Sequence, residues 1–394
     1  MTKTPRVGVW FTASAAIFFT RALLFSTWLS RGPEVQQALH LNTAQMGLLA
    51  MMYPAGGLLG IFFASSLANR VGSTKLTIGS YGLACAAMVA LGYAIESNQP
   101  FVAAACLIFM GLPMAISDYV GNYEGTAVDK LSKNSLLPGI HAAFGVGMMV
   151  AAGFASLLIS NGFGISVNYW IVAIVSFLPS LWAGWVFPRR AAVRQSHAAK
   201  VAHTKAFRKA WTEPRTQLIA LIGFSFIMVE SSAGTWMPIA LHNSGFSQAA
   251  AASALGLFWV VVTAARAVGG WVTDRIGRAQ TIGFGALLTA AGIAVFMLDP
   301  VLHLPYLGLA FWAVGMANGF PLSISSMSDD PAGAEARINL IITVVYISVI
   351  SVGPALGSVG QAFGLTVAFG IPLVLILISA MLSRATKPLV LTKN

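Results

Sequence analysis

Charge is what this sequence has least of. Only 9% of its 394 residues are Asp, Glu, Lys or Arg, against roughly 25% in a soluble domain. So few cannot clothe a water-facing surface on a chain that is 57% hydrophobic with a mean hydropathy of +0.78. Lipid is the solvent this composition calls for. Acidic residues are the scarcest, 12 against 23 basic, for a net charge of +11. Such an excess can serve nucleic acid, but here the basic residues recur in alternate connections between apolar runs, a pattern of membrane orientation. Cysteine is nearly absent. Cys85 and Cys106 both lie inside apolar stretches, which excludes a disulfide framework and a cysteine-based metal site. There is no Walker A motif, no zinc-ligand spacing and no nucleophile elbow. The expectation is no enzyme, no cofactor, no metal site and no nucleic-acid partner.

What the chain has is long apolar runs. A spanning helix needs about 20 such residues. Twelve candidates appear: Val9–Leu29, Gln45–Ala68, Lys75–Ile95, Phe101–Tyr123, Leu137–Ile159, Val167–Phe187, Leu218–Leu241, Ala249–Val272, Gln280–Leu298, Leu304–Met327, Ile338–Val359 and Phe363–Leu382. They are too long and too uniformly apolar for barrel strands, and lipid-exposed backbone must satisfy its own hydrogen bonds. The first run is too long for a signal-peptide core and is read as the first span. With the N-terminus inside, twenty of the 23 basic residues fall on the cytoplasmic side. They include Lys3, Lys133, Lys393 and the linker residues Arg189, Arg190, Arg194 and Lys200, while Arg31 alone lies outside. Both termini are therefore expected in the cytoplasm, with the chain in the inner membrane. The one long polar connection divides the sequence into six spans plus six: residues 1–188, a basic linker over 189–215, and residues 216–394. The fold class is an all-α membrane protein of two pseudo-symmetric six-helix bundles.

A short sequence follows the second span of each half. The second copy is Gly270-Trp271-Val272-Thr273-Asp274-Arg275-Ile276-Gly277-Arg278. The first, Ser65 to Gly72, has Ser65 and Asn69 where the second has glycine and aspartate. Glycine suits a tight turn, and the charged residues suit pairing with neighbouring helix ends. Arg70, Asp274, Arg275 and Arg278 are thus candidates for a cytoplasmic gate. The repeat resembles G-x-L-x-D-R-x-G-R, the loop signature of the major facilitator superfamily. Further residues resemble one branch, the YbjJ type near the fucose permease group. Trp28, Arg31 and Pro33 fit T-W-x-x-R-x-P. Asp118, Asn122 and Gly125 fit D-x-x-x-N-x-x-G, and His141 to Phe144 fit H-A-x-F. Glu230 and Trp236 fall on the span-seven pattern, and Gly315, Asn318 and Pro321 fit G-x-x-N-x-x-P. The resemblance implies a twelve-helix fold, alternating access and proton coupling, with spans one and seven facing a central cavity.

A charge at mid-bilayer costs about 2.5–3.5 kcal/mol even on the lenient insertion scale, so each intramembrane charge marks a cavity or a partner. Ser14, Phe18, Arg21, Phe25 and Trp28 share one face of span one. Arg21 is expected to bind an anionic group, with Phe25 and Trp28 as walls; an ion pair between helices is the alternative. Glu230, beside Trp236, is open to proton uptake, to pairing with Arg21 or to holding a cationic group. Asp118 and His141 are further protonation candidates, His141 with Asp118 or Asp129 in reach. Asn122 and Asn318 are polar solute contacts, Asn318 alternatively capping a helix break near Pro321. Arg266, one turn before Gly270, is assigned to gating beside the Asp274–Arg275 turn.

These residues read as a monomeric secondary transporter of a small polar, anionic or zwitterionic organic solute. Its partners are that solute, protons and membrane lipid. A drug/proton antiporter for amphipathic compounds is the alternative within the class, allowed by 24 Phe and 15 Met. A membrane sensor or membrane-embedded enzyme lacks the appended domain or the catalytic constellation it would need.

Overall fold

The structure is a computed structural model describing residues 5–132, 136–188, 205–298 and 304–389. Lys3, Lys133, Arg189, Arg190, Arg194, Lys200 and Lys393, used above for orientation, lie outside the described residues, as does most of the linker. Among the described residues, twelve helices are long and apolar enough to cross a membrane. They are α1 Val7–Ser30, α2 Thr43–Val71, α3 Ser73–Glu96, α4 Pro100–Asp129, α5 Leu137–Ser160, α6 Ile165–Val186, α7 Pro214–Asn243, α8 Gln248–Ile276, α9 Arg278–Leu298, α10 Tyr306–Met327, α11 Ala334–Phe363 and α12 Leu365–Thr386. Each apolar run of the sequence falls on one of them. A short helix, Gly32–Ala38, follows α1. Side chains such as Phe101, Trp185 and Met381 are 81–90% exposed, as lipid-facing residues are.

Local chemistry sets the helix ends. At the start of α2 the Asn42 side chain accepts a hydrogen bond from the Gln45 backbone N–H (2.8 Å). The Gln45 side chain accepts one from the Asn42 N–H in return (2.9 Å). This capping box carries the helix two residues beyond the apolar run. The motif copies end α2 and α8 alike, on Gly72 and Gly277 with φ of +81° and +85°. That region is open to glycine and strained for other residues, so the repeat is one backbone turn used twice. α10 is interrupted: Leu304–Met316 and Gly319–Met327 flank a break at Ala317–Asn318.

The chain groups into two compact units. The first contains residues 1–194 and 235–260; the second contains 195–234 and 261–394. Residues 235–260, which the sequence division puts in the second half, thus pack with the first six helices. Inside the first unit α2 and α4 approach with glycine at the contact. Gly56 and Gly111 rest against the Ile108 and Tyr53 carbonyls, and neither position has room for a methyl group. Small residues at such crossings let helix backbones come close where lipid offers no hydrophobic drive. Ser26 on α1 donates to the Met148 carbonyl on α5 (2.8 Å), and the Tyr81 hydroxyl on α3 donates to the Ile17 carbonyl (2.6 Å). These bonds fix the rotation of α1 about its axis, and with it the direction of Arg21.

Candidate functional site

Arg21 points from α1 to α4, where its Nη1 lies 2.8 Å from Asp118 Oδ1. Both side chains are half-buried, 22% and 28% exposed. Asn122, one turn on from Asp118, donates to the Asp118 carboxylate (3.2 Å) and backbone carbonyl (2.9 Å). The Phe144 and Phe18 ring centroids lie 4.7 Å and 5.4 Å from the guanidinium carbon, close enough for cation–π attraction. The Arg21 Nε is enclosed and has no hydrogen-bond partner. Toward the end of α4, Tyr119, Asn122, Tyr123, Thr126 and Lys130 recur at three- and four-residue spacing. With Trp10 they line a cavity of about 770 Å³.

His141 does not reach a carboxylate. Its ring packs 4.8 Å from Phe18, and its Nδ1 lies 2.9 Å from the Leu137 carbonyl. A carbonyl only accepts, so Nδ1 carries the hydrogen. Asp129 instead accepts from the backbone N–H groups of Leu136 and Leu137 at the start of α5. Phe25 is half-buried and stacks on Tyr53 at 5.0 Å. Trp28, expected as a cavity wall, and Trp236, expected as a solute contact, are enclosed at 2% and 0% exposure. Their large apolar rings fill the packed interior of the first unit.

The second unit holds its own ion pair. Glu230 Oε2 lies 2.9 Å from Arg266 Nη2, and Arg266 Nε donates to the Ala317 carbonyl at 2.9 Å. Arg266 is therefore turned toward α7 and the α10 break rather than toward the Asp274–Arg275 turn. Asn318 does not cap the second piece of α10. Its amide donates to the Ala265 carbonyl (3.2 Å), so α8 and the break hold each other at two points.

A charge cluster in the second unit joins the first turns of α7, α9 and α11 to the connection after α10. Asp329 sits between Arg278 (2.6 Å) and Arg215 (2.5 Å), and Arg278 Nε also donates to the Thr386 carbonyl (2.7 Å). Arg337 bridges Glu213 (2.7 Å) and Asp330 (3.2 Å). Burial pushes the Asp329 carboxyl up, but hydrogen bonds and charge from Arg278 and Arg215 outweigh it and hold the group below its ordinary value. Glu213 is held low in the same way by Thr216 and Arg337, against burial. Of the motif residues, Arg278 belongs to this cluster. Asp274 is exposed, and Arg275 is exposed and lies 3.6 Å over the Trp271 ring. In the first copy Arg70 is exposed. A different acid works beside that copy: fully buried Glu124 accepts from the Ser73 hydroxyl at 2.6 Å. Ser73 opens α3, so a carboxylate stands at a helix N-terminus next to the turn where Asn69 replaces aspartate.

Sequence reasoning passed over Glu213, Arg215, Asp329 and Asp330. The acidic pair in the connection after α10, set among three separate arginines, is the signal that would have found them. It also passed over a polar chain at the α7–α8 turn. Gln248 donates to Gln37 Oε1 (2.9 Å), and the Gln37 amide lies 2.6 Å from His242 Nε2. His242 Nδ1 lies 3.0 Å from the Phe246 carbonyl. Ser156 on α5 donates to the Ala249 carbonyl (2.8 Å) and contacts Ser253 (2.7 Å). These bonds hold residues 235–260 to the first six helices.

Twelve apolar helices, a duplicated turn and half-buried charges paired inside each unit define a multi-pass membrane carrier. The profile of the Major Facilitator Superfamily matches residues 10–354, and the chain belongs to that superfamily. It is a transporter, not an enzyme. An uncharacterized MFS-type transporter of Yersinia pestis is 24% identical over 370 residues, 93% of each chain. The cis,cis-muconate transport protein of Acinetobacter baylyi is 24% identical over 358 residues, 84% of this chain and 83% of that one. Among solved structures, the nucleoside transporter NupG superposes with a TM-score of 0.76 at 15% identity, covering 96% of this chain and 98% of that one. At that identity the likeness speaks for the fold.

Proposed function

We propose that the protein is a proton-coupled secondary transporter that carries a small anionic or zwitterionic organic solute across the inner membrane by alternating access. The carrying observation is Arg21: a guanidinium inside a span, flanked by Phe18 and Phe144 and balanced by Asp118. A cation beside aromatic rings in a half-buried site recognises an acid group better than a neutral sugar. Asn122 and Phe25 complete the solute contacts of the first unit. Glu230 and Asn318 serve the solute during the cycle, and Asp118, Glu230 and His141 are the candidate proton carriers. Arg278 with Asp329 forms the cytoplasmic gate, with Arg70, Asp274 and Arg275 at the two motif turns; Arg266 acts on it through the α10 break. The transport of a conjugated diacid by a relative supports the acid reading, and the patterns at Trp28–Pro33 and Asp118–Gly125 support a place near the fucose permease group. The basic connections put both termini in the cytoplasm, and the working unit is a monomer.

Proteoliposomes test this. Purified protein should take up a labelled organic acid faster under an inward proton gradient, and Arg21→Ala should abolish uptake while the protein still folds. Uptake indifferent to the gradient would reject coupling, and an active Arg21→Ala protein would reject the site. A second reading, export of amphipathic compounds against protons, draws on the cavity ringed by Trp10, Tyr119 and Tyr123. Proton-driven efflux of a lipophilic dye, with no response to organic acids, would favour it.

A further inference from the structure

We infer that Arg21 and Asp118 together form a receptor for one carboxylate and one proton, so that the solute is a carboxylic acid taken with a proton by the same two side chains. This rests on the reading of Arg21 as the anion site and adds which acid group is carried, which residue takes the proton and in what ratio.

The guanidinium is half used. Asp118 occupies Nη1. The Nε hydrogen and one Nη2 hydrogen lie along another edge, the geometry that a carboxylate fills with two parallel bonds. On that edge the Nε is enclosed and unpartnered. The Phe18 and Phe144 ring centroids lie 5.4 and 4.7 Å from the guanidinium carbon, and a ligand that takes two parallel bonds from the free edge approaches in the guanidinium plane. A flat acid group does so.

Charge then dictates the proton. With Asp118 alone, one positive and one negative charge balance. A second carboxylate on the same guanidinium leaves two negative charges on one positive, in a site whose two side chains are each less than a third exposed. Carboxylates sharing such a site do not both stay ionised. The solute carboxylate, chelated at two oxygens, keeps its charge, and Asp118 takes a proton from water. Asn122 engages Asp118 Oδ1, which leaves Oδ2 for the proton. The loaded site then holds one positive charge, one negative charge and a neutral acid.

The other titratable groups nearby do not take this role. Tyr81 on α3 is within electrostatic reach of Arg21, but its hydroxyl donates to the Ile17 carbonyl. His141 on α5 is separated by the Phe18 ring, and its Nδ1 is held by Leu137. Asn122 shares α4 with Asp118 and does not titrate. Among the described residues, Asp118 is the carboxylate paired with Arg21.

Calorimetry of the purified full chain, titrated with acetate, benzoate or cis,cis-muconate in two buffers of different ionisation enthalpy, counts the protons. We expect about one proton taken up per acid group bound. Over the pH range in which one proton is taken up on binding, affinity should fall about tenfold for each pH unit of rise, as one linked proton requires. Asp118→Asn should bind without proton uptake and with a flat pH profile. Binding to the wild type with no net uptake, or uptake retained in Asp118→Asn, overturns the inference and leaves Arg21 as an anion site. Failure of every acid to bind a wild type of normal thermal midpoint overturns the anion reading itself. If Asp118→Asn does not fold, the wild-type proton count and pH slope decide alone.

Discussion

Glu230 Oε2 lies 2.9 Å from Arg266 Nη2, and the same guanidinium holds the Ala317 carbonyl where α10 is broken. A carboxylate on α7 is thereby tied, through one side chain of α8, to the break in α10. Glu230→Gln removes the charge and keeps the shape, leaving a half-buried arginine with a weaker partner. We expect a loss of about 1–2 kcal/mol, the scale of a charge-assisted hydrogen bond. Glu230→Gln with Arg266→Gln should lose less than the sum of the two single changes. A double-mutant cycle on thermal midpoints checks this; strict additivity would mean the pair contributes nothing.

Phe144 lies 4.7 Å from the Arg21 guanidinium carbon and makes no ion pair of its own. Phe144→Leu keeps the volume and removes the ring face. Cation–π contacts are worth about 0.5–2 kcal/mol. The variant should therefore fold normally and bind carboxylates roughly threefold to tenfold more weakly, as measured by calorimetry. Unchanged affinity would mean the ring does not help aim the guanidinium.

Asp329 makes the second unit sensitive to acid. Its folded value lies below the ordinary 3.8, so its contribution is fully present above that pH and fades as pH falls through the lower, folded value. Glu213, held below 4.5, acts in the same direction. Asp329→Asn should destabilise the protein by roughly 2–3 kcal/mol at pH 7 and flatten the loss of thermal midpoint as pH falls below about 4. A variant with the wild-type acid profile would show that the cluster is screened.

The Gln37–His242–Gln248 chain fastens the α7–α8 turn to the first unit. His242→Ala should raise amide exchange across residues 240–250 by roughly tenfold, the effect of losing about 1.4 kcal/mol of local closing free energy. Exchange at α2 and α4 should stay unchanged. Hydrogen-exchange mass spectrometry reads both regions in one experiment, and equal exchange at the turn would show that the serine contacts of Ser156 suffice.

The spans were legible because lipid selects on hydropathy over some 20 residues, a length that averages out local ambiguity. The turns ending on Gly72 and Gly277 were legible because a positive φ demands a particular residue. The shared face of Asp118 and Asn122 followed from helical spacing. Partners were not legible. Arg21 meets Asp118 and Glu230 meets Arg266 through helix rotation and packing, which sequence separation does not encode. Trp28 reads as a cavity wall because an aromatic on a polar face looks the same whether a solute or another helix covers it. Asp329 and Asp330 were passed over because an acidic pair in a connection resembles an ordinary solvated loop until three distant arginines close on it.

The pairing of Arg21 with Asp118 and of Glu230 with Arg266 bears on how membrane voltage acts on the carrier. A full charge moved through 100 mV changes energy by about 2.3 kcal/mol, enough to bias any step that drags one across. Here opposite charges lie 2.8 and 2.9 Å apart and would travel together, so in the proposed alternating-access cycle the empty protein would reorient without displacing net charge from these sites. A monocarboxylate accompanied by its proton adds nothing to that balance. Both legs of the cycle would then run at rates set by concentration and pH, with the electrical potential a bystander.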